Sequence, residues 1–142
     1  MLSQLAASFI AAFAFGIIFN VPKKTLFACG IAGAVGWLSY LFLIHFKMDL
    51  IIAAFISALL VAFISHLFTK MYKAPIIIFS VPGIIPLVPG GIAYDAMRHV
   101  VEQDYFMAIE LAAKAFIISG AIAMGLVFSE VLNRMIMKII RQ

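Results

Sequence analysis

Charged residues punctuate this chain so sparsely that the stretches between them set the fold. Residues 1–22, 25–46, 50–69 and 74–94 carry no Asp, Glu, Lys or Arg, and 105–128 is interrupted only by Glu110 and Lys114. Crossing the ~30 Å hydrocarbon core of a bilayer takes about 20 apolar residues. Five such stretches predict five membrane spans, at about 1–22, 25–46, 50–69, 74–97 and 105–128, in a single transmembrane domain covering 1–142. Lipid offers the backbone no hydrogen bonds, so the expected fold class is an all-α integral membrane bundle. Only 11% of residues are charged, against about 25% in soluble domains, which excludes a water-soluble globule. The single cysteine, Cys29, excludes an internal disulfide framework and any multi-thiolate metal site. No cofactor or metal is expected. The first stretch reads as a retained helix: no basic residue precedes Lys23, and it is longer than a signal-peptide core.

The Lys/Arg distribution gives an orientation. In a five-span chain, Lys23 and Lys24, Lys70 and Lys73, and Arg134, Lys138 and Arg141 share one side, while Lys47 and Arg98 lie on the other. The N-terminus is therefore expected outside and the C-terminus in the cytoplasm. The net charge of +4 reflects this collar and predicts no nucleic-acid partner.

Small residues at helical spacing mark where backbones approach closely in lipid. Such stripes are Ser8-Ala12-Gly16-Asn20, Gly30-Gly33-Gly36 with Cys29 beside Gly33, Ala54-Ala58-Ala62-His66, and Ala121-Gly125-Ser129. Bundle packing is the plain reading of all four. Two of them end in a polar residue, Asn20 and His66, and these faces are the better candidates to look onto a cavity. His66, one turn from Lys70, reads as a snorkelling or hydrogen-bonded residue, with a proton relay as the sharper alternative. Trp37, Tyr40, Tyr72 and His45 read as packing or interfacial residues.

The fourth stretch is different. Pro82, Gly83, Pro86, Pro89, Gly90 and Gly91 fall within ten residues, and one proline in a helix interior already costs about 3 kcal/mol. The expectation is a half-helix over 74–81, an unwound or re-entrant segment over 82–91, and a helix restarting at Ile92. Irregular backbone at membrane depth is tolerated where it is buried in protein or lines a water-filled cavity, and broken helices carry substrate sites in secondary transporters. Gly90 and Gly91 would bring amides close to a ligand, and the restarting helix would turn its positive end toward a carboxylate. Tyr94 and Arg98 share a face. Asp95 can pair with Arg98 or His99, and Arg98 suits a bidentate grip on a carboxylate. The plainer alternative is a proline-kinked structural helix ending in interfacial charges. Glu110 and Lys114, four apart, read as a self-satisfied pair or as groups taking part in proton coupling, while Glu102 and Asp104 read as solvated.

Three segments carry a family resemblance: Phe19-Asn20-Val21-Pro22 followed by a basic residue, the glycine-rich run ending in Trp37, and the run from Ile85 to Met97 with its Pro89-Gly90, Tyr94, Met97 element. Together they resemble the threonine/serine exporter family. The likeness is closest to the small subunit of its split form, which lacks the larger subunit's extra soluble N-terminal portion. The resemblance implies a subunit of a bacterial inner-membrane secondary exporter of small carboxylate metabolites: threonine, serine, or a dicarboxylate such as succinate. It implies a larger homologous membrane subunit as partner, and Asn20, Pro86, Pro89, Gly90 and Tyr94 as functional positions. From the residues themselves, Gly91 and Arg98 join the candidate substrate site, and Asp95, Glu110 and Lys114 are the candidates for proton coupling. There is no phosphate-binding G-x-x-x-x-G-K-[ST] run, so energy would come from a gradient or a partner. The alternative is a homo-oligomeric channel or a scaffolding membrane subunit. No enzyme is expected, because the chain has no H-E-x-x-H and no G-x-S-x-G elbow.

Overall fold

The computed structural model describes residues 2–140; Met1 of the first apolar stretch and Arg141 of the basic tail lie outside them. The described residues form helices and turns, with no strand among them. The helices are α1 (Leu2–Ile18), α2 (Leu26–His45, entered through a 3₁₀ turn at Lys23–Thr25), α3 (Leu50–Tyr72), α4 (Ile77–Ile84, extended by a 3₁₀ turn at Ile85–Leu87), α5 (Gly90–Val101) and α6 (Tyr105–Ile140).

Helix ends follow local chemistry. Asn20, Lys47 and Gln103 each take a positive φ, at 55°, 57° and 63°. Around them the same pair of bonds recurs: Asn20 N to Ile17 O with Val21 N to Gly16 O, Lys47 N to Ile44 O with Met48 N to Leu43 O, and Gln103 N to Val100 O with Asp104 N to His99 O. This is the Schellman closure, which usually employs glycine at the left-handed position. Asn20 therefore stops α1 at 17 residues, about 26 Å long, and shortens the helix expected over 1–22. Three helical segments are long and apolar enough to cross a membrane, those at 23–45, 50–72 and 105–140, with the bent α4–α5 pair as a fourth. At the other extreme, α6 runs 36 residues, about 54 Å. It overshoots the expected end at 128 because neither proline nor glycine follows Gly125, and an Arg134–Glu130 ion pair at 2.6 Å supports the extra turns.

Packing contacts give each segment a direction. Gly33 abuts Ala12 and Gly16 faces Leu26, so α1 and α2 are antiparallel. Gly36 meets Val61 of α3 and also lies near Gly83 and Leu87. Phe79 of α4 packs between Phe68 and Tyr72 with ring centroids 5.7 Å from each. With Val61 also against Gly83, α4 runs antiparallel to α3. α3 and α6 are parallel: Ala58 lies against Gly125, His66 bonds Asn133 at 3.1 Å, and Lys70 reaches Met137 at 3.8 Å. Each of these pairs is 67 residues apart, so the stripe Ala54-Ala58-Ala62-His66 lies in register along Ala121-Gly125-Ser129. Small residues on both sides let the backbones approach. Ala54, Ala58, Val61, Leu87, Ile118 and Ile122 form the core at this seam. The same register sets Ile117 level with Leu50, so residues 105–116 of α6 project about 18 Å past the start of α3. α5 packs antiparallel on that projection through Ala96, Met97 and Val100 against Ala108, Ile109 and Ala112.

The expected unwinding over 82–91 is corrected. Pro82 and Gly83 are buried inside α4, helical turns continue to Leu87, and Gly90 and Gly91 already belong to α5. Only Val88 and Pro89 leave the helix, and the axes there turn by 52°. The helix tolerates Pro82 because the acceptor it strands is used. Proline lacks the N–H that would bond the carbonyl four residues back, here Ile78, and Cys29 Sγ of α2 donates to that carbonyl at 3.1 Å. The Pro82 carbonyl in turn accepts from Ile85 N.

Candidate functional site

The bend arises from two adjacent constraints. Val88, which precedes a proline and so disfavours helical backbone, is extended at φ −61°, ψ 130°. Pro89 then takes the N-cap of α5 at φ −75°, ψ 53°, and no side chain caps the helix start. Gly90 and Gly91 are exposed, and a Cβ at either would meet no heavy atom within 4 Å. Their lack of side chains thus answers no packing demand within this chain. Gly90 N donates to Val88 O at 2.7 Å, which leaves the Gly91 and Ile92 amides uncapped at a helix N-terminus, where the dipole favours an anion.

One turn on, Tyr94 is 68% exposed. Arg98 pairs with Asp95 at 3.7 Å and with Glu102 at 3.6 Å, so two carboxylates brace the guanidinium proposed from sequence as a substrate clamp. His99 Nδ1 lies 3.7 Å from Glu102 and 3.6 Å from Asp104. Asp104 also caps α6, its Oδ1 accepting from Met107 N at 3.3 Å. Glu102 and Asp104 are therefore engaged as well as solvated.

The sequence candidates do not all converge. Gly90, Gly91, Tyr94, Asp95 and Arg98 follow one another along α5. Pro86 faces the other way, into an open groove of about 280 Å³ lined by Gln4, Ala7, Ser8, Ala11 and Trp37. Pro89 lines a second groove of about 220 Å³ against Ser119 and Ile122 of α6. Asn20 is remote from both: its neighbours Phe19 and Val21 pack near Ile77 and Ile78, at the opposite end of α4. Glu110 and Lys114 are exposed on the projecting part of α6 and form no ion pair with any described residue, so of the two readings from sequence the self-satisfied pair is not the one formed. Neither needs the other there, because each reaches out from the helix surface.

Sequence spacing does not reveal Gln4 and Ser119 as groove-lining residues, nor Asn133 as the partner of His66, whereas Ser8 lies on the Asn20 stripe expected to look onto a cavity. The Asn133 contact depends on the register between α3 and α6, a tertiary fact. Its only sequence trace is that Asn133 extends the Ala121-Gly125-Ser129 stripe by one more turn.

Residues 4–132 match the family described as "Threonine/Serine exporter, ThrE". A Haemophilus influenzae protein named only as an uncharacterized protein is 33% identical over 134 residues, covering 89% of this chain and 45% of that protein. The chain thus spans about half the length of this curated relative. No solved structure matches it. A family of transporters, a match over almost the whole chain and an all-helical apolar fold together make this a membrane protein of the threonine/serine exporter family.

Proposed function

We propose that the chain is one subunit of a bacterial inner-membrane secondary exporter of small carboxylate metabolites, working with a larger homologous membrane subunit. Threonine, serine and dicarboxylates such as succinate are the substrates to test first. The observation that carries this reading is the bend at Val88–Pro89 with its two open glycines. A substrate carboxylate is received by the free Gly91 and Ile92 amides of α5, with Tyr94 beside it and Arg98 released from Asp95 or Glu102 to join. Pro86, Pro89 and Asn20 shape the path, and Asp95, Glu110 and Lys114 are the candidates for proton coupling at this end of the molecule.

Five crossings within one domain are supported by the alternating directions of α1, α2, α3, the α4–α5 pair and α6. Because α3 and α6 are parallel neighbours, the chain between them has to return across the same thickness, and the bent pair makes that return. The basic residues at 23–24, 70–73 and 134–138 favour the cytoplasm for that end. The partner subunit belongs to this reading because the chain matches only 45% of the length of its Haemophilus influenzae relative.

The test is efflux of preloaded threonine, serine and succinate from cells making this chain alone, with the larger subunit, or as the pair carrying Gly90→Leu. Export that needs both chains and disappears in the variant supports a split exporter with its pathway at the bend. Export by this chain alone favours a self-assembled carrier or channel, and no export of any of the three removes them as substrates.

A further inference from the structure

At the far end of the molecule from the bend, the small-residue seam between α3 and α6 ends in polar side chains. His66 Nδ1 lies 3.1 Å from Asn133 Nδ2, while its Nε2 is shut off from solvent and has no hydrogen-bond partner. Ser129, one turn before Asn133 on α6, is fully buried, and its hydroxyl also has no partner. An unpartnered polar group costs about 1–3 kcal/mol when buried, and an ionisable residue inside a membrane helix marks a functional site by default. Two orphaned groups flanking the same Asn133 are not explained by helix packing, for which another alanine–glycine rung would serve.

We infer that His66, Asn133 and Ser129 form a second proton-binding site of the exporter, at the Lys70 end of the α3–α6 seam and distinct from the acidic residues of α5 and α6. This rests on the transport reading above. With Asn133 Nδ2–H donating to Nδ1, neutral His66 carries its single proton on Nε2. Taking up one proton from water places it on Nδ1. The Asn133 amide then turns over so that Oδ1 accepts; Nε2–H and the Ser129 hydroxyl are unpartnered in this structure, and in the proposed site the added charge draws the two together. Releasing that proton to water on the other side of the transport cycle restores the starting state. The charged groups around the site are few: Lys70, one turn along α3, and on α6 Glu130, held by Arg134 at 2.6 Å. The facing stretches of α2 and α4 carry none. His66 is partly exposed while its Nε2 is closed to solvent, so opening this one face is the change alternating access would ask of a proton carrier here.

The experiment reconstitutes the chain with its larger subunit in liposomes and follows threonine in two modes. Threonine-for-threonine exchange needs no net proton movement, whereas uphill threonine movement under an imposed pH gradient does. His66→Gln is expected to keep exchange and lose the gradient-driven movement to the level of empty vesicles, and Asn133→Leu is expected to weaken that movement. Gradient-driven movement intact in His66→Gln overturns the inference, and so does loss of exchange along with it, which would make His66 structural. Should the wild-type pair move no threonine, the transport reading fails separately, and the site is judged by histidine NMR of the chain in nanodiscs. His66, assigned by its disappearance in His66→Gln, is expected to titrate within about pH 5–8 with a midpoint that moves in Asn133→Leu. A His66 signal that does not titrate there, or that ignores Asn133, overturns it.

Discussion

Eight of the nine glycines fall into two sets that differ in what surrounds them. Gly30, Gly33, Gly36, Gly83 and Gly125 lie where a Cβ would collide with a neighbouring helix, as at Gly30 against Phe9 at 2.6 Å and Gly125 against the Phe55 carbonyl at 2.6 Å. Gly90, Gly91 and Gly120 look onto open space. The first set is accounted for by packing within this chain. For Gly90 and Gly91, which also start an uncapped helix, packing within the chain supplies no reason, and the proposed function assigns them to a ligand. A stripe of small residues and a functional glycine pair look alike in a sequence; what separates them is whether the missing side chain leaves room for the protein itself.

The sharpest way to break this comparison is to fill both kinds of site. Gly33→Leu drives a side chain into Ala12 and Pro86 and is expected to cost about 3 kcal/mol, seen as loss of folded protein by size-exclusion chromatography and a lower thermal midpoint. Gly90→Leu places its Cβ in open space and is expected to shift stability by less than about 0.5 kcal/mol while abolishing export. Equal destabilisation by the two would mean that the bend is packed in a way the contacts do not reveal, and would remove the argument for a site there.

A smaller effect is expected where α2 supports the bent segment from behind. Cys29→Ala strips the donor from the Ile78 carbonyl and is expected to cost about 1–3 kcal/mol. Cys29→Ser keeps a donor and should recover part of that loss. Thermal unfolding of both variants checks it, and a serine variant no better than alanine would show that the thiol only fills space.

These examples mark what the chain discloses before it folds. Helical class, apolar segments and the small-residue stripes depend on local spacing, and each is readable from positions such as Ala54, Ala58 and Ala62. Asp95 pairing with Arg98 is equally local and forms as expected. The behaviour of Pro82 is not local: its cost is offset by a thiol 53 residues away, so a segment whose composition predicts unwinding stays helical to Leu87. Asn133 is hidden for the same reason. The site itself was half legible. The residues from Gly90 to Arg98 are contiguous and could be grouped by spacing, but Asn20 belongs to another end of the molecule, and the bracing of Arg98 by Glu102 competes with its assumed role.

Asn20 allows a further separation of structure from function. Its left-handed backbone costs a side-chain-bearing residue about 1–2 kcal/mol, and Asn bears that conformation better than Ala. Asn20→Ala is expected to destabilise by about 1 kcal/mol, whereas Asn20→Gly should leave the helix end and its two closing bonds intact. Export that survives in the glycine variant would make Asn20 a helix stop alone; export lost with the fold intact would restore its amide to the transport path.

The finest contrast lies along α6, which carries the same Glu-then-basic spacing twice. Glu130 and Arg134 make a 2.6 Å contact, whereas Glu110 and Lys114 make none. Glu130→Gln is expected to lower stability by about 0.3–0.5 kcal/mol, the usual worth of an exposed helical pair, and Glu110→Gln to change it by less than that. If Glu110→Gln nonetheless slows gradient-driven export, the carboxylate acts by carrying charge rather than by holding the helix. Spacing alone would have assigned the two glutamates the same role. The absence of a partner at Glu110 is what frees it to take another.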